Sequence, residues 1–245
     1  MNPSPVILVT GGARRVGQAI VRHLHAAGCA VAIHYRHSQA DALALADDLN
    51  AARPDTAATF AAALDDDTAL PGLVDAVLRR FGRLDGLVNN ASAFYPTPIG
   101  SATPAQWDDL FAANARAPFF LAQAAAPALK ASQGAIVNLV DIYAERPLAQ
   151  HPIYSMAKAA LWMLTQSLAR ELAPEVRVNA VAPGAILWPE SGKSAEDAAA
   201  LLAKTPLARK GEPGDVAEAV RWLLLDARYT TANLVRVDGG RTLAI

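Results

Sequence analysis

Val6-Ile-Leu-Val9 runs straight into Thr10-Gly-Gly-Ala-Arg-Arg-Val-Gly17, and a helical pattern with Ile20, Val21, Leu24 and Ala27 follows. A short apolar run, a glycine-bearing turn and a helix, in that order, predict the strand, phosphate loop and helix that open a dinucleotide fold. Glycines let the backbone come close to a pyrophosphate, and the helix N-terminus offers it N–H groups that have no partner within the helix. Arg15 stands in the middle of this loop. It would project a guanidinium over the phosphates and can present a planar fork to a flat polar ring.

Working outward, short apolar runs alternate with helix-compatible stretches. Strands are expected at 30–35, 56–62, 84–91, 134–141, 176–181 and 234–240. Helices are expected at 41–52, 73–81, 104–114, 116–130, 152–172 and 216–225, with a soft break at Pro118. Strand-helix alternation throughout predicts α/β architecture: one Rossmann-like domain over 1–245, doubly wound around a parallel sheet of about seven strands. Residues 185–210 include Trp188, Pro189, Glu190 and Gly192 and show no firm pattern, which reads as a mobile lid.

Composition agrees with a single large domain. Hydrophobic residues make up 53% of the 245, enough to cover both faces of a parallel sheet. Charged residues are 18% and the net charge is -1, so nothing argues for a nucleic-acid partner. Cys29 is the only cysteine, which excludes an internal disulfide framework and a cysteine-rich metal site. The opening Met-Asn-Pro-Ser-Pro is not a basic segment followed by an apolar core, and no run approaches the ~18 apolar residues of a membrane helix. A soluble cytoplasmic protein, without metal or membrane partner, is the expectation.

The chemistry concentrates between Gly134 and Lys158. Gly134-Ala-Ile-Val-Asn-Leu-Val-Asp141 reads as a buried strand ending in an acid, at the sheet edge where open α/β sheets place their ligands. Tyr154-Ser-Met-Ala-Lys158 follows on a helix, so the phenol and the ammonium share one face. A nearby ammonium favours the phenolate and should lower a pKa that starts at ~10 toward the working pH. Such a tyrosine can act as general acid or base.

Other stretches supply recognition. The second strand ends in Tyr35-Arg36-His37-Ser38, without the carboxylate that would meet a ribose 2′-hydroxyl. Arg36 and Ser38, with a protonated histidine, suit a 2′-phosphate, so NADPH is expected over NADH. Ala93-Phe-Tyr-Pro-Thr-Pro98 is a stiff loop in which Phe94 or Tyr95 can stack on a flat ligand. Asp65-Asp66-Asp67 reads as a solvated helix start with Thr68.

Together these residues resemble the short-chain dehydrogenase/reductase family over nearly the whole chain, and more narrowly its pteridine reductases. The narrow likeness rests on Thr10-Gly11 with Arg15 and Gly17, on His34-Tyr35 with Ser38, on the segment 89–98, and on Asp141 with Tyr154 and Lys158. Most of the family carry serine where Asp141 stands. The resemblance implies that Arg15, Ser92, Phe94, Asp141 and Tyr154 line a pterin pocket. It assigns cofactor contacts to Gly11, Arg15, Val16, Gly17, Tyr35, Arg36, Ser38, Leu64, Asn90, Ala91, Ser92, Lys158, Pro183 and Gly184. It gives Asn114 the task of bending its helix and holding a water near the lysine. An aspartate that commonly meets adenine is replaced by Ala63, with Asp65 displaced two positions on. A homotetramer of 222 symmetry is also implied.

The expected reaction is hydride transfer from NADPH to a dihydropterin, with oxidised pterins or dihydrofolate as further substrates. A general NADPH carbonyl reductase is the alternative, although an ionised Asp141 would repel a developing alkoxide. A nucleotide sensor without turnover is a third reading. The intact Tyr154 and Lys158 argue against it.

Overall fold

A computed structural model describes residues 4–187 and 194–244. Seven parallel strands form one sheet in the order β3-β2-β1-β4-β5-β6-β7. They are β1 (Val6–Val9), β2 (Ala30–Tyr35), β3 (Ala57–Ala61), β4 (Gly86–Asn89), β5 (Ala135–Leu139), β6 (Arg177–Pro183) and β7 (Leu234–Val237). The helices are α1 (Arg15–Ala26), α2 (Gln39–Ala52), α3 (Ala69–Phe81), α4 (Pro104–Phe111), α5 (Ala117–Ser132), α6 (Pro152–Glu171), α7 (Ala195–Ala203) and α8 (Pro213–Leu225). The strand order reverses between β1 and β4, and that switch point opens the crevice at the strands' carboxyl ends.

Strand periodicity sorts the core into two layers. Ile7 and Val9 of β1 join Val21 and Leu24 of α1, Leu45 of α2 and Val220 of α8 on one face. Val6 and Leu8 join Leu70 and Val77 of α3 with Leu121 and Leu129 of α5 on the other. A strand with every residue buried reads as a continuous apolar run, as β1 does. Each fully buried leucine or isoleucine contributes about 1.5–3 kcal/mol relative to exposure.

Two expectations need correction. The helix at 104–130 does not break at Pro118. A π turn spans Ala112–Arg116, between α4 and α5. Proline lacks the N–H that would bond the carbonyl four residues back, at Asn114, so its effect falls one turn upstream. The segment 185–210 is not patternless, because α7 lies within it. Trp188, Pro189, Glu190 and Gly192 lie outside the described residues.

Candidate active site

Asp141 leaves β5 as the N-cap of a short 3-10 turn, and its Oδ1 accepts from the Tyr143 N–H at 3.0 Å. Its other oxygen faces α6, where the Tyr154 hydroxyl donates to Oδ2 at 2.7 Å. Capping the loop and holding the phenol are thus done by one carboxylate. Pro152 starts α6 and presets the helical backbone there. Asn89 donates to Asn138 at 2.8 Å, and Asn138 donates to Thr165 at 2.9 Å, which ties β4 and β5 to α6.

The electrostatics reverse one expectation. Burial pushes the Tyr154 phenol well above 10, and the Asp141 carboxylate beside it pushes it further the same way. The Lys158 ammonium does not bring it down. Its Nζ donates to the Leu139 carbonyl at 2.8 Å and stands 5.7 Å from the centre of the tyrosine ring. Lys158 is itself only 2% exposed, and burial lowers it to about 8. Burial also raises the Asp141 carboxyl. The resting pair therefore holds its proton on Tyr154 and takes up a second one on Asp141 more readily than an exposed carboxylate would.

Arg15, Ser92, Asp141, Tyr154 and Lys158 line one cleft of about 280 Å³, together with Val16, Asn90, Pro183 and Gly184. The Ser92 hydroxyl donates to Asn114 Oδ1 at 2.6 Å, and Asn114 donates to the Ala93 and Leu110 carbonyls, both at 2.9 Å. The π turn therefore fixes Ser92. Of the two candidate aromatics, Tyr95 is drawn to α4 by a 2.8 Å hydrogen bond to Asp109. Phe94 stands edge-on to Tyr154 and stacks on His151, with centroids 4.8 Å apart in both cases. It is half-exposed and is not among the residues that line the cleft, which it adjoins through Tyr154.

The loop after β1 fits a dinucleotide. A Cβ on Gly17 would lie 2.1 Å from the Gly11 carbonyl oxygen, so helix and loop can approach this closely only with glycine there. Asn90 staples the loop by donating to the Thr10 and Gly11 carbonyls at 2.9 and 3.1 Å. No acid lies in the first turn of α1 to repel an anion. Arg15 takes φ +54, a left-handed conformation that ordinarily favours glycine. Gly11, Arg15, Val16, Gly17, Asn90, Ala91 and Ser92 line this groove.

Gly11, Arg36, Leu64, Ala91 and Ser92 line a neighbouring cavity of about 200 Å³ toward β2 and β3. Tyr35 instead packs against the core, and Ser38 stands at the N-cap of α2. Two features of this end were not visible from sequence. The His34 Nδ1 accepts from the Gly11 N–H at 3.1 Å and its Nε2 meets the Ala62 carbonyl at 3.2 Å, so a neutral histidine ties the phosphate loop to the end of β3. Asp65 forms an ion pair with Arg36 at 3.0 Å.

A family model described as enoyl-(acyl carrier protein) reductase matches residues 11–242. Pteridine reductase 1 of Leishmania tarentolae is 38% identical, over 98% of this chain and 97% of its own. A putative ketoacyl reductase 2 of the granaticin polyketide synthase of Streptomyces violaceoruber is 36% identical, over 98% and 97%. The 3-oxoacyl-(acyl-carrier-protein) reductase FabG of Staphylococcus aureus is 34% identical, over 98% and 99%.

Proposed function

The chain belongs to the short-chain dehydrogenase/reductase family, an oxidoreductase family, and within it we propose that this protein is a pteridine reductase. Its substrate would be a dihydropterin, reduced at a ring C=N to the tetrahydro form, with NADPH as donor. The observation that carries the reading is the 2.7 Å hydrogen bond from Tyr154 to Asp141. A ketone reductase needs neutral donors around a developing alkoxide, and a carboxylate there would be repulsive. A pterin presents N–H groups that a carboxylate accepts, and its ring nitrogen needs a proton.

When bound, the cofactor supplies the hydride. Gly11, Gly17 and the first turn of α1 would hold its phosphates, Arg36 its 2′-phosphate, and Lys158 its nicotinamide ribose. Phe94 offers the flat face, and Arg15 with Ser92 the polar edge contacts. As carbon gains the hydride, the Tyr154 hydroxyl proton passes to the ring nitrogen. A proton on Asp141 Oδ2 replaces it on the phenol, and water recharges Asp141. The raised carboxyl keeps that proton available at higher pH than an exposed aspartate would. The same reading makes the chain a homotetramer; Phe119 on α5 and Met156 and Met163 on α6 are exposed apolar residues that an interface would cover.

The ketoacyl reductases among the relatives keep a carbonyl reductase as second reading. Asp141→Asn and Asp141→Ser, assayed on dihydropterins and on ketones, separate the two. The pterin reading expects both variants to lose pterin turnover by about 10²-fold or more, with any ketone gain confined to the serine variant. Absence of pterin turnover in the parent protein would end it.

A further inference from the structure

The adenosine end of the cleft carries a charge arrangement that the role given to Arg36 does not explain. Arg36 Nη2 lies 3.0 Å from Asp65 Oδ2, and both line the same cavity beside Gly11 and His34. Arg36 leaves the end of β2 and Asp65 follows β3, so the pairing of Tyr35 with Ala61 brings the two exits together. The carboxylate missing after Tyr35 is thus supplied from the adjacent strand. Its backbone is anchored, because Arg116 of the π turn donates to the Asp65 carbonyl at 3.1 Å while its Nε stands 3.3 Å from Asp67. Among the described residues, Arg36 shows no second partner.

We propose that Asp65 is a specificity-determining residue, a carboxylate that occupies Arg36 and must be displaced when a 2′-phosphate binds. The inference rests on the reading of Arg36 as the 2′-phosphate contact. A phosphate and a carboxylate compete for one guanidinium fork, and the two anions repel each other. A ribose 2′-hydroxyl is uncharged and can donate to Asp65. The carboxylate therefore handicaps the phosphorylated dinucleotide and favours the plain one, so the protein discriminates less between them than Arg36 alone would allow. Side-chain exposures of 52% and 44% place the pair in screened surroundings, so its effect is modest and sensitive to salt.

The test is direct binding, without substrate. Dissociation constants of NADPH and NADH are measured by nucleotide fluorescence for the parent, Asp65→Asn, Asp65→Ser, Arg36→Ala and the Arg36→Ala/Asp65→Asn pair. Both Asp65 variants should bind NADPH roughly fivefold tighter at low salt, the upper range for an exposed ion pair, with no gain for NADH. The gain should vanish in the Arg36→Ala background and shrink in about 0.5 M salt, where the Debye length falls to roughly 4 Å. Weaker NADPH binding in both variants would make Asp65 a support for Arg36 and overturn the proposal, as would an unchanged NADPH/NADH ratio. An Arg36→Ala variant that keeps the parent's preference would instead remove the reading of Arg36, a separate failure visible without any Asp65 variant.

Discussion

Asp141 and Asp65 each hold one side-chain partner at hydrogen-bond distance, Tyr154 at 2.7 Å and Arg36 at 3.0 Å, at opposite ends of one crevice. Around Asp141 the partners are sunk: Tyr154 is 4% exposed and Lys158 2%. Burial there raises the carboxyl and the phenol and lowers the ammonium to about 8. Around Asp65 the chain of charges Arg36–Asp65 and Arg116–Asp67 is open to solvent. Similar groups at similar distances therefore do different work. Where water is excluded, a single proton is strongly coupled to its neighbours and chemistry can be built on it. Where water reaches, pairings are weak enough to be exchanged for a ligand.

The largest effect should come from the sunken end. Tyr154→Phe removes the donor to Asp141 and should lower pterin turnover by about 10²–10⁴-fold, with cofactor binding little changed. Single-turnover kinetics beside nucleotide titration would check both. Near-parental turnover would mean that the proton comes from elsewhere, and the contrast between the two ends would lose its chemical meaning.

His34 offers the next test, because it is a sunken group at the open end. It is 1% exposed, and burial lowers it to about 4. An unfolded histidine titrates near 6.5. Between these values the unfolded chain binds the proton and the folded one does not, so stability falls as pH drops from about 6.5 to 4. The loss for this one residue should reach about 3 kcal/mol. Urea unfolding of parent and His34→Gln across that window should show a shallower acid decline in the variant. Parallel pH profiles would show that His34 is not the buried neutral group.

The site was legible in sequence where spacing along one element sufficed. Tyr154 and Lys158 fall on one face of α6, and Asp141 ends a strand, so their meeting needed only local geometry. The sign of their coupling was not legible. It depends on how deeply the phenol is buried and on the Leu139 carbonyl that engages Lys158. The link from Arg36 to Asp65 depends on the β2–β3 register, which no local pattern reports. The π turn was half visible: Pro118 marks a disturbance, but the carbonyl that its missing N–H would serve belongs to Asn114. Helix α7 is rich in alanine and leucine, and its propensity was readable. The patternless stretch before it masked the signal.

The smallest effect lies at the junction of the two ends, at Arg15, which lines both the phosphate groove and the catalytic cleft. Its φ of +54 is a left-handed conformation that costs an L-residue about 1–2 kcal/mol. Glycine escapes that cost but gains freedom in the unfolded chain worth roughly 0.5–1 kcal/mol against folding. Arg15→Gly should therefore leave stability unchanged or raise it by up to about 1.5 kcal/mol, the difference of the two terms. On the pteridine reading, the same variant should lower kcat/KM on a dihydropterin, because the guanidinium proposed to meet its polar edge is gone. Opposite movements of stability and activity are what a strained functional residue produces. Urea unfolding with pterin kinetics on one preparation would check them together. A destabilised variant would show that the arginine's contacts outweigh the strain of its backbone. Unchanged pterin kinetics would show that Arg15 serves the phosphates alone, and would leave Ser92 and Asp141 to hold the substrate's polar edge.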